Sequence, residues 1–400
     1  MPNHASARLL KATGRDVGTG KVITLTKTQP AQLSLFGEFL PPEARDTYSN
    51  TLELYDAIPK YFSSKKSMAE LRQDGIFLKS LKRRFRHRDA YYELVIKPAR
   101  LMDKDGHEKE YYPSHQEELV EEALKKIACD RLNGVYLNDT AGVQFTLYEL
   151  DQELKRQGHA MKWPDLIAAL EICRGTGIEV IGPHGKVEVK SSIFPVVALV
   201  NRAEWRQNPQ QVRCYVQFNP LVTHCINKLA FRQFDYITYM RLKNRLARWF
   251  FKHLSHYYIQ ADWDSPYTIM QTTIIGNSYL VNHTRTRDQV RYVCEALDEL
   301  KAEVNVISMY HRHMIIGPRK KIEDVKYEIH PSLAFINQSK KANRRHQEIT
   351  QKAHTARVLI EKKLADQLAD QDSEDIRTRE ANYPTISRGR TPRYPTISRG

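Results

Sequence analysis

The chain is 400 residues long with a formal net charge of +15 and a pI near 9.4. It has room for two or three domains and suits a polyanionic partner, nucleic acid ahead of a membrane surface. Its five cysteines (Cys129, Cys173, Cys214, Cys225, Cys294) form no C-x-x-C pair, which argues against a zinc site or a disulfide framework and for a reducing cytoplasm.

No apolar run approaches the ~18 residues of a membrane span, and Met1–Asp16 lacks the apolar core of a secretion signal. Residues 1–50 read as a disordered tail in which Gly, Thr, Pro and Lys recur without periodicity. Within it Gln32-Leu33-Ser34-Leu35-Phe36, followed by Gly37, sets three large apolar side chains in five positions. Such a cluster seeks a pocket, in a partner or in the protein's own core.

Residues 51–218 form an N-terminal region. Phe85–Asp103 and Glu108–Pro113 read as a hairpin about Lys104-Asp105-Gly106. Lys82, Arg83, Arg84, Arg86 and Arg88, around its start, suit either contact with phosphate or a charged edge that prevents strand pairing. Ser114 with Glu117 and Thr146 with Glu149 are capping boxes, each opening a helix. Short strands flank the turn Asp139–Gly142, and Pro164 suits the first turn of a third helix that ends by Gly175 and Gly177. A hairpin about Pro183-His184-Gly185 closes the module. The third helix carries Leu166, Ile167, Leu170 and Ile172 against only Asp165, Glu171 and Arg174. A helix tracking phosphates is basic, so this one is expected to pack on protein, either the second module or another copy of the chain.

Residues 219–336 form the second module, after a linking helix and turn over 219–235. Tyr239–Tyr258 predicts one basic amphipathic helix, with Leu242, Leu246, Trp249, Phe250, Leu254 and Tyr257 as its buried stripe. Arg241, Lys243, Arg245, Arg248 and Lys252 are its basic face. After the short segment Tyr267–Gly276 comes the run His283-Thr284-Arg285-Thr286-Arg287, where Thr286 and Gln289 predict a capping box. The helix that follows buries Val290, Val293, Cys294, Leu297 and Leu300 and exposes Arg285, Arg287, Gln289 and Arg291 at its start. Arg reads guanine and Gln reads adenine from such positions. Arginines are unfavourable at the positive end of a helix dipole, so their concentration there calls for an anion. Arg319, Lys320 and Lys321 fall in the loop of a closing hairpin, within reach of backbone phosphate. Residues 337–400 are a basic helix, then a disordered tail with YPTISRG at Tyr383–Gly389 and again at Tyr394–Gly400.

Helix, short helix, helix and hairpin is the order of a winged helix. The fold class expected is therefore α+β, two winged-helix modules in tandem between disordered tails. With an apolar first module and a basic second one, the chain resembles the iteron-binding initiators of theta-replicating bacterial plasmids, the group that includes the RepA and TrfA initiators. The resemblance covers about residues 115–345 and is carried most by Tyr239–Tyr258, Thr284–Lys301 and Asp324–Arg345. Gln32–Phe36 is similar to the bacterial sliding-clamp-binding motif, in which a Gln starts the peptide and a Leu-Phe pair fills an apolar pocket. The resemblance implies binding of repeated sites in double-stranded origin DNA, opening of an adjacent AT-rich region, recruitment of host helicase and clamp, and a monomer–dimer equilibrium with self-repression through the first module. Residues 51–113 and the C-terminal repeat lie outside the family's pattern.

No catalytic residue, metal site or cofactor is expected. A rolling-circle nickase needs a metal-binding His pair and a nearby Tyr. His311-Arg312-His313 after Tyr310 is the nearest string, and its central Arg sets a cation where a metal is wanted. No G-x-x-x-x-G-K-[ST] loop or carboxylate cluster supports ATP-driven melting or a primase. A plain transcription repressor fits the fold but not the clamp-like peptide.

Overall fold

A computed structural model describes residues 47–62, 68, 72–73, 77–102, 105–129, 133–137, 139–200, 213–318, 321–355 and 358. Gln32–Phe36 and both copies of YPTISRG lie outside them. Met1–Thr350 belong to one compact unit and Gln351–Gly400 to a second; the second is described over residues 351–355 and 358, which are helical.

The first unit opens with β1 (Tyr48–Leu52) and α1 (Glu53–Ala57). Tyr48, Ser49 and Asn50 are strand, so the boundary drawn at residue 50 falls inside β1. Strands β2 (Arg72–Gln73), β3 (Phe77–Leu78), β4 (Leu81–His87), β5 (Ala90–Lys97), β6 (Ala99–Met102) and β7 (Glu108–Tyr111) follow. Phe85–Asp103, expected as one arm of a hairpin, is three strands. The chain reverses at Arg88-Asp89, where Arg88 takes φ 53°, and β4 pairs antiparallel with β5. The Asp105-Gly106 turn lies between β6 and β7, with Gly106 at φ 81°.

Next come α2 (His115–Ala128), β8 (Gly134–Leu137), β9 (Thr140–Phe145), α3 (Leu147–Arg156), α4 (Trp163–Gly175), β10 (Gly177–Ile181), β11 (Val187–Ser192), β12 (Val196–Ala198) and β13 (Cys214–Gln217). Ser114 caps α2, its amide donating to Glu117 Oε2 at 2.6 Å. Thr146 caps α3, where the Thr146 and Glu149 amides each bond the other's side chain at 2.7 and 3.1 Å. Pro164 sits in the first turn of α4, where its missing N–H costs nothing. The β10–β11 hairpin extends into a four-stranded sheet in the order β11-β10-β5-β4, and a second sheet runs β12-β13-β9-β8.

This arrangement corrects the reading of α4. Leu166, Ala169, Leu170 and Cys173 are buried between α2 on one side and β6 and β12 on the other. At its end, a Cβ on Gly175 would lie 2.9 Å from that of Ala99 in β6, so only glycine admits this approach. The apolar helix is covered by its own chain and offers no face to a second copy.

The remainder is α5 (Pro220–Asn227), β14 (Phe231–Asp235), α6 (Tyr236–Arg241), α7 (Arg245–Tyr257), β15 (Tyr267–Met270), α8 (Gln271–Ser278), α9 (Thr286–Ala302), β16 (Ile307–Ile316) and β17 (Ile322–Pro331). Residues 333–350 are helical. β1 pairs with β14 in register Tyr48↔Asp235 to Leu52↔Phe231, tying the start of the described chain to the second half. Tyr239–Tyr258 is two helices rather than one. Leu242 turns extended after α6, and Asn244 caps α7 by accepting from Leu246 N at 2.8 Å. Tyr267–Gly276 is a strand and then a helix, and the strand joins the closing hairpin as β15-β17-β16. One apolar core runs from Leu52 to Ile349 through both halves.

Candidate nucleic-acid interface

The basic face of α7 does not reach solvent. The Arg248 side chain is 0% exposed. Its guanidinium donates to Leu242 O at 2.9 Å, contacts His115 Nδ1 at 2.7 Å and lies 3.6 Å from Glu118. Arg245 reaches Glu118 at 3.2 Å and donates to Phe62 O. Lys252 pairs with Glu122 at 2.6 Å and Asp56 at 3.3 Å. The acids of α2 therefore absorb the bases of α7 between the two halves of the unit. Burial alone would raise the Glu118 carboxyl, but Arg248, Arg245 and His115 hold it at about 2. Burial and the neighbouring Arg248 push His115 down to about 4. Arg245 and Arg248 are thus structural cations, not phosphate ligands. Arg241 and Lys243 are exposed, although the Lys243 and Asn244 amides are held by Glu299 at 2.6 and 2.9 Å.

Helix α9 presents the opposite picture. Val290, Val293, Ala296, Leu297 and Leu300 are buried. Its second half is docked, Glu299 on the start of α7 and Asp298 accepting from Tyr310 Oη at 3.0 Å. Thr284, Arg285, Arg287 and Arg291 at its other end are exposed. Arg291, 67% exposed, makes only long surface contacts to Asp288 and Glu295, at 3.5 and 3.7 Å, worth little in water.

The expected capping box is absent. Arg285 is the N-cap, with no side-chain bond to the helix amides, and Thr286 is the first helical residue. Gln289 is spent inside the protein, donating to His283 O at 2.7 Å and accepting from Gln271 Nε2 at 3.2 Å. It is not free to read adenine. A long helix thus turns an uncapped, arginine-bearing N-terminus to solvent, an arrangement that favours an anion there.

Beside α9 stands the ten-residue hairpin of β16 and β17. Lys321 is exposed; Arg319 and Lys320 lie outside the described residues. The sequence reading missed Arg312 and Lys326, both exposed on this hairpin, because only strand register shows where they sit. Arg312 and Tyr310 face α9, reaching Cys294 Sγ at 3.7 Å and Asp298. Strand alternation puts His311 and His313 on the opposite face, with Glu328 3.5 Å from His313 and 3.1 Å from His330. The reason given against a His-x-His metal pair therefore fails, since Arg312 does not stand between the two rings. Tyr310 and the two histidines face apart instead, and among the described residues no group of three or more His, Cys, Asp or Glu could hold a metal ion.

Strand β4 lies at the edge of its sheet. Arg83 and His87 are buried, while Lys82, Arg84 and Arg86 are exposed; Arg88 pairs with Glu53 at 2.5 Å. The open edge is closed by side chains instead of another strand. The Arg84 amide donates to Tyr279 Oη at 2.9 Å and the Arg86 amide to Asn277 Oδ1 at 2.9 Å. Tyr279 and Asn277 lie at the end of α8, a few residues before Arg285, so β4 sets its exposed cations beside the segment leading into α9.

No protein-family model matches the chain, and no curated protein matches it. Among solved structures, a selenomethionine derivative of domains 2 and 3 of RctB aligns with a TM-score of 0.39 at 8% identity, over 69% of this chain and 99% of that one. A second structure of RctB domains 2 and 3 aligns with a TM-score of 0.38 at 7% identity, over 66% and 94%. The Pi initiator protein in complex with iteron DNA aligns with a TM-score of 0.32 at 13% identity, over 72% and 99%. Overlap at this level defines neither family nor ligand. No helix of the described residues is long and apolar enough to cross a membrane.

Proposed function

We propose that the chain is a non-enzymatic DNA-binding protein that starts replication at an origin with repeated sites. The observation that carries this is the exposed start of α9, where Arg285, Arg287 and Arg291 stand beside a cationic hairpin. The order α7, β15, α8, α9, β16, β17 is that of a winged helix, whose last helix enters the major groove. The α2-to-β11 region is read as a second such module, its hairpin widened by β4 and β5. In this reading α9 reads base edges, and Arg312, Lys321, Lys326 and the β4 cations hold phosphate. The initiator role rests on the sequence resemblance together with this geometry. Its test is selection by the full chain from a random duplex pool. One recurring site, bound more tightly as tandem copies than singly, supports the reading, and recovery of unrelated sequences counts against it.

Gln32–Phe36 is proposed to bind the sliding clamp, Leu35 and Phe36 supplying most of the affinity at about 1.5–3 kcal/mol per buried side chain and Gln32 orienting the peptide through its amide. Leu35→Ala with Phe36→Ala is expected to abolish binding to a bacterial sliding clamp in a calorimetric titration and to leave duplex affinity unchanged. A double variant that titrates like the wild type would remove the clamp from the account.

A further inference from the structure

The tip of the β16–β17 hairpin carries an exposed apolar cluster that the reading above does not use. Ile316 is 55% exposed, Met314 44%, Ile315 40% and Ile322 36%. Ile316 pairs with Ile322 across the hairpin. The third strand pairs β17 only over Lys326–Ile329, so the chain beyond Lys326 is a two-stranded blade. Its base is fixed, because Asp324 accepts from Thr272 Oγ1 at 2.6 Å and from the Thr272 amide at 3.2 Å. Strand alternation turns Met314 and Ile316 to one face and Ile315 to the other.

We propose that this tip is a wedge that enters the minor groove of duplex DNA and unstacks a base step. The inference rests on the DNA-binding reading and deepens it. A surface that docks on protein is apolar on one face and polar on the other, whereas this blade is apolar on both, as insertion between two bases requires. Its surroundings select the partner by charge. From His311 to Lys326 the sequence holds five cations, Arg312, Arg319, Lys320, Lys321 and Lys326, against Glu323 and Asp324, and Asp324 is engaged by α8. Apolar side chains set among phosphate-binding cations are how minor-groove proteins kink a duplex, with Ile, Met and Pro among the inserted residues. Pyrimidine–purine steps open most easily, so the wedge favours AT-rich sequence with TA steps. Local unstacking beside a bound site gives a nucleotide-free route to the first opened base pairs.

The test uses the full chain and a duplex that it selects from a random pool, with 2-aminopurine walked along one strand and a fluorophore pair at the ends. The wild type is expected to raise 2-aminopurine emission at one step and to shorten the end-to-end distance. Ile315→Ser with Ile316→Ser is expected to lose both signals while affinity falls by less than about tenfold, since phosphate contacts carry most of it. Met309→Ser, exposed on the same hairpin away from the tip, is expected to keep both. A double variant that bends and unstacks as the wild type does overturns the wedge. So does a wild type that binds tightly with every base stacked, or one that self-associates through the tip without DNA, and these leave the DNA reading standing. A wild type that recovers no duplex overturns the DNA reading and the wedge together.

Discussion

Arg248→Leu is expected to cost about 3–5 kcal/mol of folding stability and to leave the DNA affinity of the folded protein unchanged. The side chain is wholly buried between α2 and α7, bonded to Leu242 O and His115 and sharing Glu118 with Arg245. Its removal leaves a buried carboxylate with one guanidinium where it had two, and frees the carbonyl that holds the break between α6 and α7. Replacing one partner of a buried pair is far costlier than replacing the whole pair with apolar groups. Arg248→Lys, which keeps a charge but not the forked geometry, is expected to fall between. Thermal unfolding reads the difference as a drop in Tm of several degrees. A variant that melts like the wild type but loses DNA would return Arg248 to the interface.

Arg285→Ala with Arg287→Ala is expected to do the reverse. Both side chains are exposed at the start of α9, so the fold loses little. Each arginine that reads a base contributes about 1–3 kcal/mol at its position, and each phosphate contact removed lowers the salt slope by about 0.9. The double variant is therefore expected to bind the selected duplex at least about tenfold more weakly. Titrations at several salt concentrations separate the two roles. A flatter slope with unchanged base preference assigns the arginines to phosphate, and an unchanged slope with relaxed preference assigns them to bases. If neither affinity nor slope moves, α9 is not the reading helix.

The sequence was informative where neighbouring residues determine the structure. Ser114 with Glu117, Thr146 with Glu149, and Pro164 mark helix starts by chemistry that acts within one turn. The buried stripe of α9 follows from its period. It was least informative where the cause lies far along the chain. The bases of α7 look like a phosphate-binding face until the acids of α2, more than a hundred residues earlier, are set against them. Glu117, Glu118, Glu121 and Glu122 crowd one helix, and that crowding was the available signal. The apolarity of α4 likewise owes its cause to β6, in a stretch without a recognised pattern. Within the candidate site, Arg285 and Arg287 stood out because they oppose the helix dipole. Gln289 misled because its partners, His283 O and Gln271, are set by the turn before α9. Arg312 and Lys326 were hidden because the register of β16 on β17 decides what they face.

The central claim is that DNA is held by the start of α9 and the hairpin beside it, and not by the basic face of α7. Phenylglyoxal modification of the full chain, with and without the selected duplex, tests it most directly when each arginine is read by mass spectrometry. Arg285, Arg287 and Arg312 are expected to react in the free protein and to be shielded by DNA, while Arg248 stays unreactive in both states. Reaction of Arg285 and Arg287 to the same extent with and without DNA, or an Arg248 that reacts freely and is shielded by the duplex, would contradict the account.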